Sequence, residues 1–167
     1  MARQVERGRA PHILLVEDNK GDVLLFRRAL GGHKADIQLM VAETAESALT
    51  MLWREIGESA GILPDLIVTD LNLPGIHGVE FLRILKADTR LRRIPCIVLT
   101  SSSASSDIEA AYDAHANGFM TKPHSPEVYA RMVAELSSYW FAFMHTQAAS
   151  GSDLIRTGRR LSETKTG

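Results

Sequence analysis

Five side chains able to do chemistry recur at one kind of place along the sequence. Glu17 and Asp18, Asp70, Thr100 and Lys122 each stand at the end of a short apolar run. If those runs are parallel strands, their carboxyl ends lie on one edge of the sheet, where open α/β sheets bind ligands. Three carboxylates gathered there repel one another unless a cation intervenes. Oxygen donors without His or Cys match a hard ion, Mg²⁺ rather than zinc. Lys122 adds a point charge and Thr100 a hydroxyl donor, which is equipment for holding the three oxygens of a phosphoryl group. Singly, each residue has a plainer reading: Asp18, Asn19 and Thr100 as helix caps, Asp70 as the cap of a following helix, Lys122 as a solvated charge. The repetition at successive strand ends is what argues for a site.

The elements that must position these groups can be read in order. His12 to Val16 is a short apolar strand, followed by a helix with Val23, Phe26 and Leu30 on one face and Gly31-Gly32 at its end. Ile37 to Val41 alternates more and fits a strand nearer the sheet edge. A helix over Glu43 to Ile56 presents Ala45, Ala48, Leu49 and Leu52. Leu66 to Thr69 is apolar without alternation, as in a strand covered on both faces, and Leu73-Pro74-Gly75 makes a turn after Asp70. Val79, Leu82 and Leu85 mark a third helix with Arg83 and Lys86 facing out. Ile97 to Leu99 is a fourth strand, Ile108, Ala111, Tyr112 and His115 line a fourth helix, and Gly118 to Thr121 is a brief fifth strand. Ser125-Pro126-Glu127 starts a last helix that runs through Tyr129, Met132, Val133, Leu136, Trp140 and Phe143. Strands alternating with helices imply an α/β fold, a mostly parallel sheet with helices on both faces.

Composition bounds the remainder. The chain has 167 residues and a formal charge of −1, so overall charge favours neither nucleic acid nor a membrane surface. Charge is uneven: Arg3, Arg7 and Arg9 make a basic N-terminal arm, and Arg156, Arg159, Arg160 and Lys165 stand in a Ser/Gly/Thr-rich tail. We expect a flexible arm over 1–10, a single domain over 11–147 and a disordered tail over 148–167. Cys96, the sole cysteine, lies in an apolar run and reads as a core residue. Met1 to Arg7 lacks the apolar core of a signal peptide, and no stretch is apolar enough to span a bilayer, so a cytoplasmic location is expected.

Taken together, Val16-Glu17-Asp18-Asn19, Val68-Thr69-Asp70-Leu71-Asn72-Leu73-Pro74-Gly75, Leu99-Thr100-Ser101 and Phe119-Met120-Thr121-Lys122-Pro123 resemble the receiver domain of two-component response regulators, the CheY-like family. The intervals from 70 to 100 and from 100 to 122 agree as well, and the resemblance covers roughly His12 to Trp140. It implies a flavodoxin-like (βα)5 doubly wound sheet with strand order 2-1-3-4-5. By the same resemblance, Asp70 accepts a phosphoryl group from a histidine kinase. Asp18 and Asp70 ligate Mg²⁺ directly, Glu17 holds it through water, and Asn72 contributes its backbone carbonyl. Lys122 pairs with a phosphoryl oxygen, Thr100 moves to bond another, and Phe119 swings inward as the aromatic switch. The family also implies a cis Lys122–Pro123 bond.

Val16-Glu17-Asp18-Asn19-Lys20-Gly21-Asp22-Val23 is similar to the single-domain regulators of phytochrome-type histidine kinases, with Lys20 where those carry proline or alanine. That subgroup implies a bacteriophytochrome-like kinase as partner and a homodimer through the last helix. Tyr129, Trp140 and Phe143 are the expected contact residues, since Tyr139 to Phe143 is aromatic all round. No DNA-binding helix-turn-helix and no aromatic-basic RNA surface is legible, so output is expected through protein contacts. Three other readings remain open: a scaffold receiver that is not phosphorylated, a phosphate sink, and a Mg²⁺-dependent aspartyl-phosphate phosphohydrolase. Asn72 speaks against the last, because such an enzyme wants a second acid two residues after the nucleophile. The expectation is therefore a phosphoacceptor switch and not an enzyme acting on an outside substrate.

Overall fold

The computed structural model describes residues 9–32 and 36–141. Five strands, β1 (His12–Val16), β2 (Gln38–Ala42), β3 (Leu66–Thr69), β4 (Cys96–Thr100) and β5 (Gly118–Thr121), form one sheet in the order β2-β1-β3-β4-β5, every neighbour parallel. Between them run α1 (Lys20–Gly31), α2 (Ala45–Gly57), α3 (Gly78–Ala87) and α4 (Ser105–Asp113). A last helix, α5, occupies 126–141. This is the flavodoxin-like order that the resemblance implies.

The sheet divides the core by side-chain alternation. Leu14, Val16, Ile67, Cys96 and Val98 face α2, α3 and α4, while Ile13, Leu15, Leu66, Val68, Ile97 and Leu99 face α1 and α5. β3 is buried at every position, which is why its sequence shows no alternation. Each fully buried Leu or Ile contributes about 1.5–3 kcal/mol by leaving water. β2 pairs with β1 alone, and its outer positions are partly exposed, as befits an edge strand.

The helix starts are fixed locally. Asn19 Oδ1 accepts from the Gly21 and Asp22 amides and caps α1, and Thr44 and Ser47 form a reciprocal capping box on α2. Ser125 Oγ accepts from Val128 N and starts α5 as its sequence foretells. Thr100 caps nothing: it ends β4, fully buried, and α4 begins after Ala104 without a side-chain cap.

Several expectations are corrected by the packing. Tyr112 and His115 do not line the inner face of α4. Ala111 and Ala114 do, leaving Tyr112 half exposed and His115 outside the helix with φ 64°. Lys86 does not simply face out; its ammonium donates to the carbonyls of Arg92 and Ile94, closing the loop before β4. The Lys122–Pro123 peptide is trans, the isomer that X–Pro bonds favour by about 0.5–1 kcal/mol. Arg9, assigned to the flexible arm, is anchored to Asp65 at 2.6 Å beneath the sheet.

The largest correction concerns α5. Its buried stripe is Tyr129, Val133, Ser137 and Phe141, every fourth residue, with Ser137 Oγ turned back onto the Val133 carbonyl. Tyr129, expected on a dimer surface, is 2% exposed and lies in the core between the sheet and α1. Trp140 is half-buried against the same core, Tyr139 is 70% exposed, and Phe143 lies outside the described residues. The tail expected over 148–167 and most of the arm over 1–10 also lie outside them. Among the described residues no helix is long and apolar enough to cross a membrane.

Candidate functional site

All the strand-end groups singled out from the sequence stand along the carboxyl edge of the sheet, as parallel pairing requires. Asp70 N donates to Val16 O, Glu17 N to Ala42 O and Lys122 N to Thr100 O, which places the ends of neighbouring strands side by side. At the centre is the Lys122 ammonium. It bonds Glu17 Oε2 at 2.6 Å, Asp70 Oδ2 at 2.7 Å and Asp22 Oδ2 at 2.8 Å. An ammonium has three N–H donors, and all three are engaged.

The acidic oxygens not facing lysine are held by backbone. Asp70 Oδ1 accepts from Leu71 N at 2.6 Å and Asn72 N at 3.2 Å, and Glu17 Oε1 accepts from Asn19 N at 3.0 Å. The Thr100 hydroxyl accepts from Ser102 N at 3.3 Å and helps to hold the Asp70 pKa down. This leaves Asp70 Oδ2 as the oxygen turned toward the lysine.

The loop after Asp70 owes its shape to two glycines. Gly78 N donates to Leu71 O at 2.8 Å, and a Cβ there would run into the Asp70 carbonyl and come within 2.6 Å of Leu71 Cα. Gly75 has φ 77°, the left-handed region that glycine enters without penalty. Glu46, at the start of α2, steadies this loop by accepting from Ile76 N.

Electrostatics separates the two buried acids. Burial would raise the pKa of Asp70, but the hydrogen bond and charge of Lys122, with Thr100 and the Asn72 amide, outweigh it and hold Asp70 below the ordinary carboxylate value. For Glu17, burial wins over the same lysine, and its pKa is raised. Burial also works against the charge of Lys122, and three carboxylates more than reverse it, raising its pKa. Asp70 is thus the buried acid of the cluster held toward its ionised form, with the Lys122 cation beside it.

The remaining residues fall at different distances from this centre. Asp18 is exposed, on the solvent side of the cluster, and Asn72 is exposed with its amide on Asp70. Phe119 is partly buried against the α2–α4 side of the core. Asp22, which bonds Lys122 across 100 residues of sequence, was missed by sequence reasoning, where it stood only within the Val16 to Val23 segment. Its signal was an acid one turn ahead of Phe26 on the buried face of α1.

The donor set tests the metal expectation. Glu17, Asp18, Asp22 and Asp70 bring four negative charges against the one positive charge of Lys122, and every ligating atom is a hard oxygen. Charge and chemistry fit a divalent cation. Among the described residues no group of three or more acids or histidines stands ready to hold a metal, because the lysine lies between Glu17 and Asp70 while Asp18 lies outside.

A buried aspartate flanked by lysine, threonine and acidic residues on a 2-1-3-4-5 sheet is matched in known proteins. The model of the response regulator receiver domain matches residues 13–134. The chain belongs to that family. It is similar to the response regulator Rcp1 of Synechocystis sp., 34% identical over 137 residues, covering 82% of this chain and 93% of that protein. Among solved structures, the phosphorylated cyanobacterial phytochrome response regulator RcpA shares the fold at a TM-score of 0.75 with 33% identity, covering 81% of this chain and 96% of that one. The Mn²⁺-bound form of Rcp1 gives a TM-score of 0.72 with 35% identity, covering 78% and 94%. This receiver is therefore a member of a family of signalling switches that bind divalent metal, and it resembles the regulators of phytochromes.

Proposed function

We propose that this receiver accepts a phosphoryl group on Asp70 from a phytochrome-type histidine kinase, with Mg²⁺ as cofactor, and signals through protein contacts as a stand-alone cytoplasmic regulator. The observation that carries the reading is the Lys122–Asp70 pair, 2.7 Å apart at the carboxyl edge of the sheet, where Thr100 and Glu17 also stand at strand ends. Asp70 Oδ2 attacks phosphorus, the P–N bond of the donor's phosphoimidazole breaks, and the imidazole leaves with the electron pair. Asp70 Oδ1, held by two amides, keeps the carboxylate in one orientation for that attack. Lys122 and Thr100 then turn toward the added oxygens, and Phe119 moves inward into the space that Thr100 leaves.

The metal would be held by Asp18, Asp70 and the Asn72 carbonyl, with Glu17 behind a water. When bound it supplies positive charge to the phosphoryl oxygens. The likeness to Rcp1 and RcpA supports the phytochrome-type partner. The domain is taken as 11–147, with a homodimer contact through Trp140 and Phe143. Complete switching needs about 5.5 kcal/mol of preference for the modified state, within reach of several charge-assisted hydrogen bonds.

The kinase assignment is tested by transfer from a radiolabelled phytochrome-type kinase. The expected result is loss of label from the kinase and its appearance on this chain, absent in Asp70→Asn. Chains that are labelled by acetyl phosphate but not by such kinases would refute the partner and leave the phosphoacceptor standing.

A further inference from the structure

The turn from β4 to α4 converges on one small residue, Ser102, whose every polar group is engaged. Its hydroxyl donates to Asp107 Oδ2 at 2.5 Å, the length of a charge-assisted O–H···O⁻ bond, and accepts from Ala104 N at 3.3 Å. Its carbonyl accepts from the hydroxyl of Thr121, the residue before Lys122, at 3.5 Å. Its amide donates to Thr100 Oγ1 at 3.3 Å. Ser101 and residues 103–106 are exposed, whereas Ser102 and Asp107 are half-buried.

Asp107 is the fixed end of this chain of bonds. It stands in the first turn of α4, where its amide donates to Ala104 O at 3.1 Å and its charge suits the helix N-terminus. Ala104, at the cap position, offers α4 no side-chain bond, and the Asp107–Ser102 bridge is the side-chain link between helix start and turn. At the other end is Thr100, fully buried on the strand next to that of Asp70. A hydroxyl has one O–H donor and two acceptor lone pairs, and its proton rotates to suit its neighbours. With the Ser102 amide on one lone pair, the Thr100 O–H is left to donate elsewhere, and Thr100 is among the groups that lower the Asp70 pKa. A helix-start acid alone would need neither the bond to Ser102 nor the link to Thr100.

We propose that Asp107 is a positioning residue for phosphoryl acceptance: by clamping Ser102 it holds the Ser102 amide on Thr100 Oγ1, which keeps the Thr100 O–H free to donate at the phosphoacceptor. This deepens the phosphoacceptor reading above and rests on it. Asp107 acts through Ser102 and Thr100, not on the reacting atoms. What it fixes is a geometry, and a donor already aimed at the site needs no reorganisation when charge arrives there.

The test is a double-mutant cycle on the full chain, read as the initial rate of Asp70 labelling by acetyl phosphate with Mg²⁺ on a phosphate-affinity gel. Asp107→Ala and Ser102→Ala should each label about threefold to tenfold more slowly than wild type, the worth of one hydrogen bond, and the pair together no more slowly than either alone. In a Thr100→Val background Asp107→Ala should slow labelling no further, which a loss of helix stability would not mimic. Asp107→Asn, which keeps an acceptor for the Ser102 hydroxyl, should recover most of the rate. Amide hydrogen exchange followed by NMR gives a reading independent of labelling: the Ser102 amide should exchange faster in Asp107→Ala and in Thr100→Val than in wild type. A wild-type rate in Asp107→Ala, equal slowing by that substitution with and without Thr100, or unaltered Ser102 exchange in Asp107→Ala would overturn the proposal alone. Absence of label on wild-type Asp70 would overturn both it and the phosphoacceptor reading.

Discussion

Lys122 decides the character of the site. Its ammonium is the shared counter-ion of two buried carboxylates and one at the rim, so removing it leaves charges that neither water nor protein neutralises. Lys122→Met is expected to cost roughly 3 kcal/mol of unfolding free energy in urea at pH 7, the low end for breaking a buried pair because Asp22 reaches solvent. Added Mg²⁺ should raise the melting temperature of that variant more than that of wild type, since a divalent ion then replaces the missing charge. Glu17 behaves in the opposite sense. Its folded pKa lies above the ordinary 4.5, so its ionisation costs stability at neutral pH, and that cost vanishes below its unfolded value. Glu17→Gln should therefore melt a few degrees higher than wild type at pH 7, with the gap closing by pH 4 in a calorimetric series. Asp22 and Tyr129 show where residue-level reading stops. Strand-end position announces Asp70, Thr100 and Lys122, but Asp22 acts from a helix and through a partner 100 residues away. No local pattern encodes that meeting.

At the scale of elements, the loop from β3 to α3 is the part most tightly specified. Gly78 lets the backbone of α3 rest against the Asp70 carbonyl, with no room for a Cβ between them. Gly78→Ala should lose roughly 1–3 kcal/mol by overpacking and label more slowly with acetyl phosphate, as single-turnover rates would show. A Gly78→Ala chain with unaltered stability and rate would mean that the loop is held elsewhere. Elements themselves were largely legible. β3 and β4 are buried at every position, and their continuous apolar runs say so; β2 alternates and lies at the edge. The faces of α4 and α5 were less so. Tyr112 and His115 follow helical spacing as well as Ala111 and Ala114 do, and the small alanines lie inward because α4 packs close to the sheet. In α5 apolar residues occupy two adjoining stripes. Hydropathy does not say that the one containing Ser137 is the deeper, because serine there bonds its own helix. That is why Tyr129 read as surface and proved to be core.

For the whole molecule, parallel pairing is what turns scattered sequence positions into one site. A five-stranded sheet with every crossover in register brings residues 17, 70, 100 and 122 to one edge, so the fold and the chemistry are a single inference. The same charges tune global stability with pH. The contribution of Asp70, whose pKa is lowered, is present above its ordinary 3.8 and is lost as pH falls through the folded value. That of Lys122, whose pKa is raised, is present below 10.5 and is lost as pH rises through the folded value. Stability should therefore fall off on both sides of that range, and in Lys122→Met the alkaline fall attributable to this group should be gone.

The central claim is that Asp70 is the phosphoacceptor. The most direct measurement is labelling by acetyl phosphate on a phosphate-affinity gel, with and without Mg²⁺, for wild type and Asp70→Asn. The account predicts one retarded band in wild type with Mg²⁺, absent from the variant and absent without the metal. A band that survives in Asp70→Asn, or a folded wild type that takes no label under any condition, would contradict it.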